Sequence, residues 1–251
     1  MPLSSFVDGV RENHRSLVVI NRAAPQPVLD LLEELFDGQP VEITEEDIAT
    51  APADAVFLLD ENGVIASSTL DSIMDAILLV NSDLYITGAR KPHELELPDI
   101  LRELDDIRFT LRGYPESNKE KLLLITISRY IEGLAIEADN GKLRASFQEL
   151  SRINDERGTR WVYETLADSA VDTHVYGIPD WLPPSTMDLT IHSGWSPDFT
   201  DTWFVTFVPE EGSGTFASLI AIERAPRVWE GFWTYDEDTV TEINRYIERE
   251  L

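Results

Sequence analysis

Lys142-Leu143-Arg144-Ala145-Ser146-Phe147-Gln148, then Leu150 to Ala167, then Thr173-His174-Val175-Tyr176-Gly177-Ile178 read in succession as strand, helix and strand. The outer segments have strand length, and the middle one spaces Ile153, Trp161, Val162 and Leu166 as a helix requires. A strand, a helix and a second strand in that order place two parallel strands side by side. Downstream, Trp203 to Val208 and Ala217 to Glu223 form two strands around the Gly212-Ser213-Gly214 turn. Trp229 to Tyr235 follows as a third strand and Asp238 to Arg249 as the closing helix. Upstream, Asn118 to Ala138 is the longest helix, with Leu122, Ile125, Tyr130, Ile131, Leu134 and Ala135 three or four apart and Asp139-Asn140-Gly141 as its stop.

The same order occurs at the start of the chain. Leu17 to Ile20 is a strand, Val28 to Phe36 a helix entered through Pro25 and Pro27 and ended by Gly38, and Val41-Glu42-Ile43 a second strand. Ala55 to Leu59 and Gly63 to Ser67 flank Asp60-Glu61-Asn62-Gly63, whose Asn-Gly pair tolerates the positive φ of a hairpin turn. Thr69 then caps a helix running to Leu79. Strand-helix-strand, hairpin and helix thus appear twice, which is the pattern of an internal duplication. Between them lie a loop at Lys91-Pro92-His93, a helix near Pro98 to Leu104 and a loop at Gly113-Tyr114-Pro115. The expected fold is α/β (α+β): mixed sheets with packed helices, in two portions, 1–90 and 142–251, joined by a helical segment, 91–141.

Forty-seven acidic against twenty basic side chains give a formal net charge of -27. That disfavours duplex nucleic acid and anionic membrane surfaces, both of which are bound through cationic side chains. The chain holds four lysines and sixteen arginines. Lysine depletion with an acid excess matches salt-in halophile proteins, whose concentrated salt screens self-repulsion. Without cysteine there is no disulfide, thiolate nucleophile or sulfur-ligated metal. No charged start with an apolar stretch opens the chain, and apolar runs such as Leu122 to Ile125 are far below a membrane span, so a cytoplasmic protein is expected.

Catalytic templates find little purchase. His14, His93, His174 and His192 are the only histidines, without the pair spacing of a metal site, so no metal is expected. No Gly-x-Ser-x-Gly elbow is present, and Gly212-Ser213-Gly214 lacks the lysine and helix of a phosphate loop. Carboxylate pairs mean little in so acidic a chain. The aromatic distribution is the informative feature, since all six tryptophans fall after residue 160. Either they fill a sheet-and-helix core or they line a pocket or interface. Trp181 and Trp195 favour the pocket, because they sit in the loop sequences Asp180-Trp181-Leu182-Pro183-Pro184 and Gly194-Trp195-Ser196-Pro197.

The segment from Thr173 to Trp181, Trp203-Phe204-Val205, Leu219 to Arg224 and above all Trp229-Glu230-Gly231-Phe232-Trp233-Thr234-Tyr235-Asp236 resemble the DICT domain, in its stand-alone haloarchaeal form. The likeness is specific over about Lys142 to Leu251 and looser over Leu3 to Tyr85. It implies a non-enzymatic sensory module that signals to a separate effector protein, since no output domain accompanies it. The family supplies no ligand, cofactor or catalytic residue to carry over. The expected ligand-binding region comprises Tyr176, Asp180, Trp181, Trp195, Trp233 and Tyr235, with Arg224 for polar contacts and Gln148 and Arg152 at a strand-to-helix junction where α/β folds place ligands. A ligand would act by favouring one arrangement of the loop from Pro179 to Asp198. Two rival classes remain open: an enzyme using His174 or His192 with a carboxylate as acid and base, and a homodimeric scaffold joined through the apolar stripe of Asn118 to Ala138.

Overall fold

Two strand-helix-strand units each need a covered face for their apolar strands, and each obtains its own sheet in the computed structural model, which describes residues 2–10, 13–81, 96–112, 120–155 and 157–251. The loops expected at Lys91 to His93 and Gly113 to Pro115, and the expected helix start at Asn118, lie outside the described residues.

After a short helix α1 (Ser4–Gly9), the first unit runs β1 (Arg15–Ile20), α2 (Gln26–Phe36), β2 (Val41–Glu46), β3 (Ala55–Asp60), β4 (Gly63–Thr69) and α3 (Leu70–Asn81). Its four strands are ordered β2-β1-β3-β4, with β1 and β2 parallel and β3 antiparallel to both its neighbours. The hairpin turns where expected: the Asp60 carboxylate accepts from the backbone of Asn62 and Gly63. Thr69 caps α3 by accepting from Ser72 N at 3.2 Å.

The chain continues through α4 (Asp99–Arg102), β5 (Phe109–Arg112) and α5 (Glu120–Ala138) into β6 (Lys142–Glu149), α6 (Arg152–Asp155), α7 (Arg157–Ala167) and β7 (Asp172–Ile178). Then follow β8 (Thr190–Ser193), α8 (Pro197–Thr200), β9 (Thr202–Val208), β10 (Ala217–Ala225), β11 (Val228–Thr234) and α9 (Glu237–Glu250). These seven strands form one sheet ordered β5-β11-β10-β9-β6-β7-β8, parallel from β6 to β8 and antiparallel elsewhere. Its inner four, β7-β6-β9-β10, repeat the order and directions of β2-β1-β3-β4.

Side-chain alternation gives the large sheet two different faces. Leu143, Ala145, Val175, Val205, Phe207, Leu219, Ala221 and Trp233 share one core with α5, α7 and the helices of the small sheet. Tyr176, Phe204, Ile220, Ile222 and Phe232 face the other way and pack with Ile243, Tyr246 and Ile247 of α9 and with Leu3 and Val7 at the N-terminus. Of the α5 stripe read in the sequence, Ile131 and Ala135 are buried in the larger core and Leu122, Tyr130 and Leu134 pack half-buried against it, while Leu123, Leu124 and Ile127 of the same helix are buried there too. Gly231 lies so close to β10 that a Cβ there would meet Ile220 O at 2.6 Å, which explains a glycine inside an otherwise bulky strand. No helix among the described residues is long and apolar enough to cross a membrane.

Two expectations need correction. The stretch from Pro179 to Asp198 is not all loop: it contains β8, so His192 belongs to a strand. The segment 91–141 is not purely helical: it supplies β5, whose Thr110 exchanges two hydrogen bonds with the Gln39 side chain of the first unit.

Candidate functional site

The residues expected to bind a ligand separate into distinct places. Gln148, Arg152, Asp180 and Trp181 share the carboxyl end of the parallel pair β6 and β7. There Asp180 accepts from Ser151 N at 3.1 Å, and Gln148, held at φ 64 where β6 bulges, donates to Thr200 O at 2.7 Å. Arg152 lies 3.8 Å from Glu149. Trp181 is half-buried against the larger core, whereas Trp195 is 73% exposed. Arg224 is held between Asp8 and Glu230, as a structural ion pair. Tyr176 and Trp233 are both fully buried, on opposite faces of the sheet, so they cannot line one pocket.

Beneath α9, sequence inspection missed a polar cluster. Arg144 is 2% exposed in the middle of β6 and donates to Asn244 at 2.8 Å, to the Tyr176 hydroxyl at 2.5 Å and to Glu248 at 3.2 Å. Register places Arg144 beside His174, and Tyr176 beside His192. The His192 ring stacks on Tyr176 at 4.4 Å and 7°, and its Nε2 lies 2.9 Å from His174 Nδ1. His174 Nε2 is 3.0 Å from Asp172 Oδ2. Burial lowers both imidazole pKa values, helped for His174 by Arg144 and for His192 by His174 and Arg144. Burial likewise raises Tyr176. Among the described residues no group of three or more His, Asp or Glu could hold a metal.

On the opposite face, the end of β11 carries a second unusual group. Trp233 stacks on Phe109 at 4.7 Å, and Tyr235 meets Tyr130 edge-on at 6.2 Å. Among the described residues, the buried Trp233 Nε1 and Tyr235 hydroxyl have no hydrogen-bond partner. Burial pushes Tyr235 well up, and the charges of Tyr130 and Asp105 add to that. Asp105, in the turn that donates Asp106 N to Trp233 O at 2.9 Å, is itself raised to about 6 by burial and then by Asp106 and Glu103.

A raised carboxyl keeps its proton in the fold over a range where the unfolded chain has released it, so it costs stability as pH rises from about 4 to 6. Asp105→Asn is expected to gain about 1–2 kcal/mol over wild type at pH 7, discounted for partial exposure, and to show no gain at pH 4. Denaturant titrations at both pH values measure it. A difference between the two proteins that does not change with pH would refute the assignment.

No family model matches the chain, and no curated protein matches it. Among solved structures, the polyphosphate kinase of Porphyromonas gingivalis is similar at 9% identity and a TM-score of 0.35. The match covers 97% of this chain and 44% of that one, so the chain spans less than half of the kinase's length. A likeness of that size carries no activity across.

Proposed function

We propose that the chain is a sensory module that captures a small molecule at the end of β11 and passes the signal to a separate effector protein. One observation carries this: two donors two residues apart in the chain, Trp233 Nε1 and the Tyr235 hydroxyl, are buried without partners among the described residues. A buried donor left unpaired costs about 1–3 kcal/mol, which a fold tolerates where a ligand supplies the acceptor. Both donors belong to Gly231 to Asp236, the stretch that most resembles the DICT domain. Two donors beside the rings of Phe109 and Tyr130 suit a planar molecule rich in carbonyl or ring-nitrogen acceptors. Ligand contact there reaches the turn at Asp106, which is tied to Trp233, and thereby shifts a surface population that a partner reads.

The test is a thermal-shift and native mass-spectrometry screen in concentrated KCl. Tyr235→Phe is expected to fold at least as stably as wild type, because it removes an unpaired donor, and Trp233→Phe to fold with a modest loss from the cavity its smaller ring leaves, yet both to lose the captured molecule. Capture by both variants at the wild-type level would end the proposal.

A second reading, acid–base catalysis, is favoured by the 3.0 Å approach of Asp172 to His174. It expects turnover of a metabolite in the same screen, abolished by His174→Gln, in place of a retained ligand.

A further inference from the structure

We propose that β8 is a proton-released latch, an edge strand docked through the His192 ring and released when His174 and His192 both carry an added proton. The proposal concerns the opposite face of the sheet from Trp233 and stands independently of the ligand site.

β8 is four residues long and pairs only with β7. Thr190, Ile191 and Ser193 are exposed, which leaves His192 as the one half-buried side chain of the strand. Beyond the parallel ladder with β7 and the half-buried Met187 and Leu189 just before it, the side-chain hold of the strand on the sheet is the stack on Tyr176 and the 2.9 Å contact with His174. The Asp172 carboxylate lies 3.0 Å from His174 Nε2, too poorly aligned for a hydrogen bond, and its negative charge favours hydrogen on that nitrogen. His174 Nδ1 then accepts from His192 Nε2–H, and His192 Nδ1 is the nitrogen left to take a proton.

The charged groups around the pair come from four elements. Arg144 and Lys142 on β6 oppose added positive charge, and Asp172 on β7 supports it. Glu248 on α9 lies 3.2 Å from Arg144 and 3.7 Å from Lys142, which tempers both cations. Asp198 on α8 is occupied by the Tyr246 hydroxyl at 2.6 Å. One added proton can sit on His192 Nδ1 with the inter-ring bond intact. A second, on His174 Nδ1, sets N–H against N–H and places two cations beside Arg144, and the bond that docks β8 is lost.

The docked state thus binds fewer protons than the released state below the ordinary histidine pKa of about 6.5. Acid then drives release, by up to tenfold per pH unit for one proton and a hundredfold for two. Release uncovers the edge of β7, a template on which a partner strand can pair.

Hydrogen exchange of a peptide covering residues 188–194, corrected for intrinsic rates, tests this in the full chain in concentrated KCl. Wild-type protection is expected to fall at least tenfold from pH 7.5 to pH 5, with β9 to β11 still protected. His192→Phe, which keeps a ring over Tyr176 and cannot charge, is expected to stay protected at both. Should His192→Phe fail to dock at either pH, His174→Asn decides: its amide oxygen takes the place of Nδ1 and still accepts from His192, so the pH slope should drop from two protons toward one. Protection independent of pH in wild type, a wild-type loss in His192→Phe, or an unchanged slope in His174→Asn would each overturn the latch.

Discussion

Arg144→Met is expected to lower stability by about 3 kcal/mol, or roughly 6–12 °C in Tm for a chain of this size. The methionine fills much of the same volume, so the loss is not a cavity effect. It arises because the Tyr176 hydroxyl and the Asn244 side chain lose their shared donor beneath α9, and an unpaired buried polar group costs about 1–3 kcal/mol. Glu248 contributes less, because its side chain is 56% exposed and water can replace the guanidinium. Arg144→Lys keeps the charge but not the planar fork that reaches three partners at once, so it should lose an intermediate amount. Chemical denaturation ranks the three proteins. Arg144→Met within about 0.5 kcal/mol of wild type would mean that the cluster adds no net stability, as happens for some buried charge groups.

Salt is expected to act on the whole molecule. A net charge of -27 over one folded chain stores self-repulsion that the expanded chain relieves. Raising KCl from about 0.1 to 2 M shortens the screening length from roughly 10 Å to below 3 Å, shorter than most spacings between surface carboxylates. Several kcal/mol of relief corresponds to a rise in Tm of about 10 °C or more. The few close surface ion pairs, such as Arg160 with Glu164 at 2.8 Å, weaken under the same screening but are worth only about 0.5 kcal/mol each. A melting temperature that stays flat or falls across that range would refute the halophilic interpretation of the composition.

The two strand-helix-strand units were legible because their strands and helices carry apolar residues at periods that local chemistry imposes, as in Val28 to Phe36 and Trp203 to Val208. β8 was not, because Thr190-Ile191-His192-Ser193 buries too little to leave a pattern, and β5 was not because Phe109 to Arg112, although Phe109 and Leu111 are buried on either side of a half-buried Thr110, is too short to show a period. The pairing of His174 with His192 had no sequence signal at all: eighteen residues separate them, and only the parallel register of β7 and β8 brings the rings together. Arg144 did leave a sign, a cation inside the apolar strand Leu143 to Phe147, which in a sheet covered on both faces must find buried partners. Trp233 could be core or pocket from composition. The structure places its ring in the core and leaves its indole nitrogen unpaired among the described residues, a distinction that no amino-acid pattern encodes.

The shared strand order of the two sheets divides labour between them. In the small sheet, Val18 of β1 neighbours Thr44 and Phe57 in a half-exposed layer. At the matching place in the large sheet stands Arg144, roofed by α9, and both edges are extended by further strands. Among the described residues the histidine pair and the buried arginine lie on the larger sheet's copy of the pattern and the unpaired donors of Trp233 and Tyr235 at the end of the added strand β11, while the smaller sheet's copy holds none of them. A protein built this way has room to vary one sheet while the other keeps its shape.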